Sequence, residues 1–422
     1  MRERAALVGL FTDSHQQFDP EHSLDELSGL ASAAGGDVVL RVLQERARPD
    51  PATFLGSGKV QQLAAAAGEM RVDVVIFDNE LSPAQLRNLE KALECKVIDR
   101  TQLILDIFAR RARTREGKLQ VELAQLQYLM PRLVGSSEAL SRLGGGIGTR
   151  GPGETKLETD RRRIRYRVSQ LGKEIEQVRR RREQLRERRH KASVPTVALV
   201  GYTNAGKTTL FNRLTGGDAV ASDALFVTLD PLVRQVRLPD RRELLVSDTV
   251  GFIDRLPHSL VAAFRATLEE VAEADLLLHV IDASNPDRQR QIAAVHTVLR
   301  EVGAERVPAI EIFNKCDMLE AGERARIAAV HHGALCVSAL DGEGRDELVA
   351  AIESRLGLDT AEARFEFSAD DAADRESIAQ LYRVGRVLSH VATNGRITID
   401  AQVPRRLVDR FRKDHAGVAA AG

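Results

Sequence analysis

The segment Gly201-Tyr202-Thr203-Asn204-Ala205-Gly206-Lys207-Thr208 constrains the fold of this chain more than any other. It fits the pattern G-x4-G-K-[ST] at every fixed position. The apolar run Val197–Val200 precedes it, and Thr209–Leu214 continues from it with helical spacing. A strand that enters a glycine loop and leaves as a helix is a phosphate site in outline. The glycines let backbone N–H groups curl around a β-phosphate, and the helix N-terminus adds positive potential. Lys207 is expected to reach the β- and γ-phosphates, and the Thr208 hydroxyl to ligate Mg2+. Tyr202, Thr203, Asn204, Ala205 and Thr209 belong to the same expected nucleotide contact.

Three more motifs follow in order. Asp248-Thr249-Val250-Gly251 closes the apolar run Leu244–Val246. A carboxylate at a strand end can hold Mg2+ through water, and Gly251 can offer its N–H to a γ-phosphate. Aspartate with a nearby glycine is also a common turn, so this motif draws its weight from its place after the first. Asn314-Lys315-Cys316-Asp317 ends the run Ala309–Phe313. Asp317 can accept two hydrogen bonds from guanine, at N1–H and the exocyclic amine. Adenine lacks that pair and would leave the carboxylate unmatched. Lys315 can lie along the base. Ser338-Ala339-Leu340 ends the next apolar run and can offer backbone N–H to guanine O6. Thr228, preceded by Phe226 and Val227 within Ala221–Asp230, sits where a loop would bring a hydroxyl to Mg2+ and the γ-phosphate; the alternative is an ordinary strand threonine. The catalytic set is therefore Lys207, Thr228 and Gly251, and the metal set Thr208, Thr228 and Asp248.

The motifs lie in a repeated β-loop-α pattern. Candidate strands are Thr196–Val200, Leu232–Arg237, Glu243–Ser247, Leu276–Ile281, Ala309–Phe313 and Ala334–Val337. Candidate helices are Lys207–Leu214, Leu260–Ala272, Arg288–Glu301 and Gly344–Leu356. This predicts a doubly wound, mostly parallel α/β sheet over residues 193–357. Residues 1–115 also alternate strands (Val38–Val42, Val74–Phe77, Val97–Asp99) with helices (Gly58–Ala67, Ser82–Glu94), which predicts a small α/β N-terminal domain. Ser82 suits a helix cap and Pro83 the first helical position. Residues 358–422 are expected to form a small α+β domain. It would hold a helix over Ala372–Ala392, a strand over Arg396–Ile399, a closing helix and a frayed end at Ala416–Gly422.

Residues 116–192 have another period. Leu119, Leu123, Leu126, Met130 and Leu133 step by four and three, as do Ile164, Val168, Leu171, Ile175 and Val178. A seven-residue period keeps one apolar stripe on each helix, and two such helices can bury their stripes on each other as an antiparallel hairpin. The alternative is that each stripe faces a separate core. Pro131 should end or kink the first helix. The glycine-rich run Gly144–Lys156 is expected to be a mobile loop at the hairpin tip, or to order only against a ligand or partner.

The formal net charge is zero, yet residues 151–191 hold 15 Lys/Arg against 7 Asp/Glu, a net of +8. Arg161-Arg162-Arg163 and Arg179-Arg180-Arg181-Arg182 are the densest clusters; with Arg150 and Lys156 they are candidates for contact with an RNA backbone. A solvated helix face with Glu/Arg pairs is the plainer reading. Cys95, Cys316 and Cys336 show no metal-ligand spacing, which fits a reducing cytoplasm. No apolar run is long enough to span a bilayer. The short run Ala5–Phe11 after Arg2 and Arg4 is read as a first strand rather than a signal peptide.

With these residues in view, the chain resembles the translation-factor-related P-loop GTPases and, within them, the HflX family. The more specific points of resemblance are Gly151-Pro152-Gly153-Glu154-Thr155-Lys156-Leu157-Glu158, Gly56-Ser57-Gly58-Lys59 and Asp78-Asn79-Glu80-Leu81-Ser82-Pro83. The resemblance is strong over about residues 35–357. It implies a cytoplasmic monomer, with peripheral membrane association left open. GTP, GDP and Mg2+ would be its ligands, and the rRNA of the large ribosomal subunit its partner. It further implies splitting of stalled or idle ribosomes under stress, with the N-terminal domain and hairpin facing the ribosome. Some members are reported to bind ATP through the N-terminal region. Gly56-Ser57-Gly58-Lys59 lacks the spacing of a second phosphate loop. Where a water-orienting glutamine would follow Gly251, this chain has Phe252, which can neither orient nor activate water. Slow intrinsic hydrolysis, stimulated by the ribosome, is the expectation. A GTPase of large-subunit assembly and a nucleotide-dependent RNA-remodelling protein stay open. Asp317 argues against ATP in the main site, and Lys207, Thr208 and Asp248 argue against an inert scaffold.

Overall fold

Strand β1 (Arg4–Phe11) is apolar on both sides, and its residues alternate between two cores. Ala5 and Leu7 face one; Ala6, Val8 and Leu10 face the other. Such a strand belongs inside a parallel sheet covered on both faces. β2 (Asp37–Glu45), β3 (Val74–Phe77) and β4 (Lys96–Asp99) complete that sheet in the order β2-β1-β3-β4, all parallel. Helices α1 (Pro20–Ala33) and α4 (Arg100–Arg111) cover one face, and α2 (Ser57–Glu69) and α3 (Pro83–Leu93) the other. Ser82 closes a capping box on α3: its hydroxyl accepts from Gln85 N at 3.3 Å, and Gln85 Oε1 accepts from Ser82 N at 3.0 Å.

The computed structural model describes residues 2–12, 20–133, 156–191, 194–221, 225–238, 243–254, 268, 270–356, 360–368, 371–393, 395–404, 408 and 411. The expected glycine-rich tip at 144–155 with Arg150, most of the expected helix 260–272, residues 222–224 of the expected Mg2+ loop, and the frayed end lie outside them. So do the side chains of Lys156 and Arg182.

Helix α5 (Arg115–Leu129) gives way to a 3-10 turn, Met130–Leu133, at Pro131, which lacks the N–H to continue it. α6 (Lys156–Lys191) follows. Arg115 pairs with Glu174 and Arg167 with Glu122, so one helix ascends while the other descends: the two are antiparallel. On α6, Leu171 is buried and Ile164, Val168, Ile175 and Val178 are half-buried, so the periodic stripe is the covered face. α5 has a second face that the periodicity did not single out. Val121, Ala124 and Tyr128 join Ile104 and Phe108 in the core against α4.

The second sheet runs β10-β9-β8-β5-β7-β6, from β5 (Thr196–Gly201), β6 (Leu232–Arg237), β7 (Glu243–Asp248), β8 (Leu276–Asp282), β9 (Ala309–Asn314) and β10 (Leu335–Cys336). Among the described residues of this sheet only the β6–β7 pair is antiparallel. α7 (Lys207–Thr215) and α10 (Arg345–Arg355) pack on one face; α8 (Arg288–Glu301) packs on the other, and α9 (Ala321–Val330) precedes β10. The four motifs therefore emerge at the carboxyl ends of β5, β7, β9 and β10, where a doubly wound sheet opens its crevice.

The last unit departs from expectation. The helix predicted over Ala372–Ala392 ends early: α11 is Ala372–Val384, and Arg386–Thr393 is strand β12. β11 (Thr360–Ser368) and β13 (Arg396–Pro404) complete an antiparallel sheet, β11-β13-β12. Gly385 makes the break. A Cβ there would lie 2.7 Å from Val403 Cγ1, so only glycine lets the chain turn this close to the sheet. Asn394-Gly395 is a hairpin signal between β12 and β13 that the helical reading passed over. Of the expected closing helix, Val408 and Phe411 are described, both buried on this sheet.

Candidate functional site

β5 ends at Gly201, and the chain loops over the sheet edge before α7 begins at Lys207. Gly206 takes φ +90°, and a Cβ there would lie 2.2 Å from Asn314 Nδ2, so the loop can close onto the base motif only without a side chain. The Lys207 ammonium is buried and donates to the carbonyls of Gly201 at 3.1 Å and Tyr202 at 2.7 Å. Burial pushes it down to about 8, against the pull of Asp248. A buried cation at the root of an open cavity is poised for an anionic ligand.

Three oxygens meet beside it. Thr208 Oγ1 lies 2.8 Å from Thr228 Oγ1 and donates to Asp248 Oδ2 at 2.8 Å, and Thr228 Oγ1 lies 3.0 Å from the same carboxylate oxygen. Neighbouring ligands of an octahedral Mg2+ at 2.0–2.1 Å stand about 2.9 Å apart, so the spacing of the two hydroxyls suits that ion, with Asp248 Oδ2 hydrogen-bonded behind them. Among the described residues Asp248 Oδ1 is buried and has no hydrogen-bond partner, so this carboxylate keeps an unused acceptor. Burial raises the Asp248 carboxyl above its ordinary range, while Lys207 and the two hydroxyls draw it back. The residues present thus fit a magnesium ion.

The base motif is braced from within. Asn314 Nδ2 donates to Ala205 O and Asn314 Oδ1 accepts from Ala339 N, both at 2.9 Å, which ties the loops after β5, β9 and β10 together. Lys315, at φ 64°, extends to Asp282 Oδ2 at 2.6 Å. Asp317 is exposed at the cavity mouth. Two of the amides expected to reach a base are engaged inside the protein, Ala339 N with Asn314 and Ser338 N with Glu343 O at 3.0 Å.

These groups surround a cavity of about 650 Å³. Of the predicted residues, Thr203, Asn204, Gly206, Lys207, Thr208, Thr209, Phe226, Val227, Thr228, Thr249, Gly251, Asn314, Lys315, Asp317, Ala339 and Leu340 line it. Gly201, Tyr202, Ala205, Asp248, Val250 and Ser338 do not. Asp248 stands behind the two threonines, Thr249 Oγ1 donates to Leu199 O at 2.6 Å, and Val250 is core. Ala221 and Met318 also line the cavity, and neither carries a signal that sequence could reveal. Asp282 and Arg213 were missed as well. Asp282 ends an apolar strand, a cue available in principle. Arg213 holds the carbonyls of Ala339 and Leu340 from α7.

Tyr202 turns away from the cavity to α1 on the N-terminal sheet. Its hydroxyl donates to Glu26 Oε2 and accepts from Asp254 N, both at 2.8 Å. Arg100, ion-paired with Glu26 and Asp78, donates to Asp254 O at 3.2 Å. Burial works against the Arg100 charge, but the two carboxylates hold it protonated above its ordinary range. Phe252 forms a bridge with Tyr202 and is buried, so its ring is core and not a group over the phosphates. Phe226, before Thr228, meets Phe108 edge-on at 4.7 Å, and Asp230 accepts from the backbone N–H of Arg113 and Thr114 at 2.7 and 2.9 Å, at the start of α5. Of the RNA candidates on α6, Arg162, Arg163, Arg179, Arg180 and Arg181 are exposed and Arg161 is half-buried. Arg180 pairs with Glu176 and Arg163 approaches Asp160, so part of this charge is met along the helix.

A glycine loop between β5 and α7, a hydroxyl pair on a strand-end aspartate and an Asn-Lys-Cys-Asp turn define a P-loop domain of the GTPase type. Residues 21–109 match the family described as GTP-binding GTPase N-terminal, 111–189 the GTP-binding GTPase middle region, and 196–315 the 50S ribosome-binding GTPase family. The GTPase HflX of Lacrimispora saccharolytica is 47% identical over 407 residues, covering 96% of this chain and 95% of that protein. That of Escherichia coli is 46% identical over 404 residues, covering 95% of this chain and 94% of that protein. Among solved structures, a GTP-binding protein from the archaeon Sulfolobus solfataricus in complex with GDP is 24% identical, with a TM-score of 0.45, covering 84% of this chain and 99% of that one. The chain belongs to the HflX family of GTPases.

Proposed function

We propose that this protein hydrolyses GTP to GDP and phosphate, and that it uses the nucleotide state to act on the large ribosomal subunit, splitting stalled or idle ribosomes under stress. One observation carries the reading. The loops that would sense a γ-phosphate, at Thr228 and Gly251, share the cavity of Lys207 and Asp317 and run directly into contacts with the N-terminal ends of α4, through Arg100 and Asp254 O, and of α5, through Asp230. Nucleotide state at one end can thereby shift the placement of a basic helix at the other.

The backbone of Gly201–Thr208 would cradle the β-phosphate, with Lys207 reaching the γ-phosphate. Thr208 and Thr228 would hold Mg2+ directly and Asp248 through water; the ion supplies positive charge between the phosphates. Asp317 would read guanine. With the Ser338 and Ala339 amides engaged, Leu340 N–H is the donor left for guanine O6. Phe252, being core, supplies no water-orienting group, so intrinsic turnover is slow and speeds up when the ribosome orders the loops. α6 would lie along rRNA through Arg161–Arg163 and Arg179–Arg182. Among the described residues no helix is long and apolar enough to cross a membrane.

GTP turnover with and without isolated large subunits, across a salt series, tests this reading. Stimulation that fades steeply with salt is the expected result. Equal rates with and without subunits would overturn it. A role in large-subunit assembly shares the same domain architecture. Sedimentation after incubation with intact ribosomes or with precursor particles separates the two, and dissociation of intact ribosomes is expected.

A further inference from the structure

Away from the nucleotide cavity, β8 and β9 place His279 and Glu311 side by side in register. Both point to the face covered by α8, since their neighbours Leu278, Val280, Ile310 and Ile312 fill the core on the opposite face. His296 on α8 closes the third side: its ring meets that of His279 edge-on, with centroids 5.4 Å apart. One ligand atom from each of His279, His296 and Glu311 lies within 4.8 Å of the other two. His279 is buried, Glu311 half-buried and His296 exposed, so the cluster has a solid floor and an open entrance. Glu311 is held in turn. His331 Nδ1–H donates to Glu311 Oε2 at 2.8 Å, and His331 Nε2 lies 3.2 Å from Gln289 Nε2.

Two imidazoles and a carboxylate suit borderline divalent cations such as zinc, and suit poorly the all-oxygen preference of Mg2+. Bonds of 2.0–2.2 Å set tetrahedral donors roughly 3.3–3.5 Å apart. Closing the present spread to that distance takes a shift of about 1.5 Å at most, within the reach of small side-chain rotations. A carboxylate ligand steered by a second residue is the arrangement that outer-shell partners of metal sites provide. Three protein donors leave a fourth position for water on the exposed side.

We propose that His279, His296 and Glu311 form a site for a divalent transition-metal ion of the zinc class, distinct from the phosphate site and oriented by His331. The ion ties α8 to β8 and β9, the two strands that end at Asp282 and Asn314. Its role is to stiffen that part of the sheet, with no part in the phosphate chemistry.

The test uses the full-length chain, free of tag, nucleotide and metal. Co2+ alone is titrated and followed by its visible absorption, and Zn2+ binding is measured by calorimetry. The expected result is one equivalent of Co2+ with a tetrahedral spectrum, and a melting temperature raised by Zn2+. His296→Ala, at an exposed position that carries no core, should lower affinity at least tenfold, and Glu311→Gln likewise. His331→Ala should cost about tenfold, the scale of outer-shell changes. His332→Ala, an exposed neighbour, should change nothing. A wild-type protein without a saturable Co2+ spectrum overturns the proposal, as does His296→Ala binding as tightly as wild type. Circular dichroism reports whether each variant is folded, and His296→Ala decides if Glu311→Gln is not.

Discussion

Replacing Tyr202 by phenylalanine isolates the contact between the phosphate loop and helix α1. The change keeps the ring, which is 7% exposed, and removes only the hydroxyl. That hydroxyl makes two bonds of 2.8 Å, one to the Glu26 carboxylate and one from Asp254 N–H. A charge-assisted bond is worth ~1.5–3 kcal/mol, and a buried N–H left without a partner costs ~1–3 kcal/mol. Glu26 retains Arg100, and Asp254 is only half-buried, so the lower ends apply and the loss should be about 2–3 kcal/mol. For a folding unit of this size that corresponds to a fall of roughly 5–10 °C in Tm. Burial and the Glu26 charge raise the Tyr202 phenol above its ordinary range, so it stays protonated and the loss should not vary with pH near neutrality. The chain has no tryptophan, so calorimetry or far-UV circular dichroism is the suitable assay. Because Tyr202 does not line the cavity, the affinity for a fluorescent GDP analogue should change by less than about threefold. A Tm within about 1 °C of wild type would refute the reasoning, since it would show that the contact contributes nothing.

Four further outcomes are expected. Lys207 titrates near 8 in the nucleotide-free fold against an ordinary value of 10.5, so between those pH values the unfolded chain holds the extra proton. Stability without nucleotide should therefore climb across that window, by up to ~1.4 kcal/mol per pH unit. GTP affinity should fall above about pH 8, as binding must restore the proton; a flat calorimetric profile from pH 7 to 9.5 would contradict this. Gly251→Ala would bring a Cβ to 2.8 Å from Thr203 Cγ2 and 3.1 Å from Lys207 Nζ, forcing the two phosphate-facing loops apart. A cost of about 1–3 kcal/mol at that contact should appear as a fall in kcat of roughly five- to 150-fold, and wild-type turnover would show that the close approach is not needed. Asp317→Asn should shift preference from GTP to xanthosine triphosphate in competition binding, because the amide pairs with a base that presents an acceptor where guanine has its amine. Unchanged preference would mean that another group reads the base.

What sequence determined here is local chemistry in a fixed order. A loop that needs positive φ at Gly206, a cation that must follow it, and strand-end carboxylates are all written within a few residues, because backbone geometry and ligand chemistry act over that range. The near-continuous apolar runs of β1, β5 and β8 likewise declare strands covered on both faces. The C-terminal strand β12 was misread because a helical period and a strand period overlap in a short mixed segment. Its decisive contact, Gly385 against Val403, joins residues that no local window contains. The same holds for the site. Nothing in Tyr202 itself says that it leaves the cavity, since position two of the loop pattern accepts any residue. Its direction follows from Glu26 and Arg100, which approach from helices α1 and α4 on the other sheet's face. The second face of α5, the bond from the start of that helix to Asp230, and the meeting of His279, His296 and Glu311 are of the same kind. Sequence thus set which groups would hold a nucleotide. Packing between separate elements decided what those groups are connected to, because that choice depends on which surfaces remain to be buried once each element has formed.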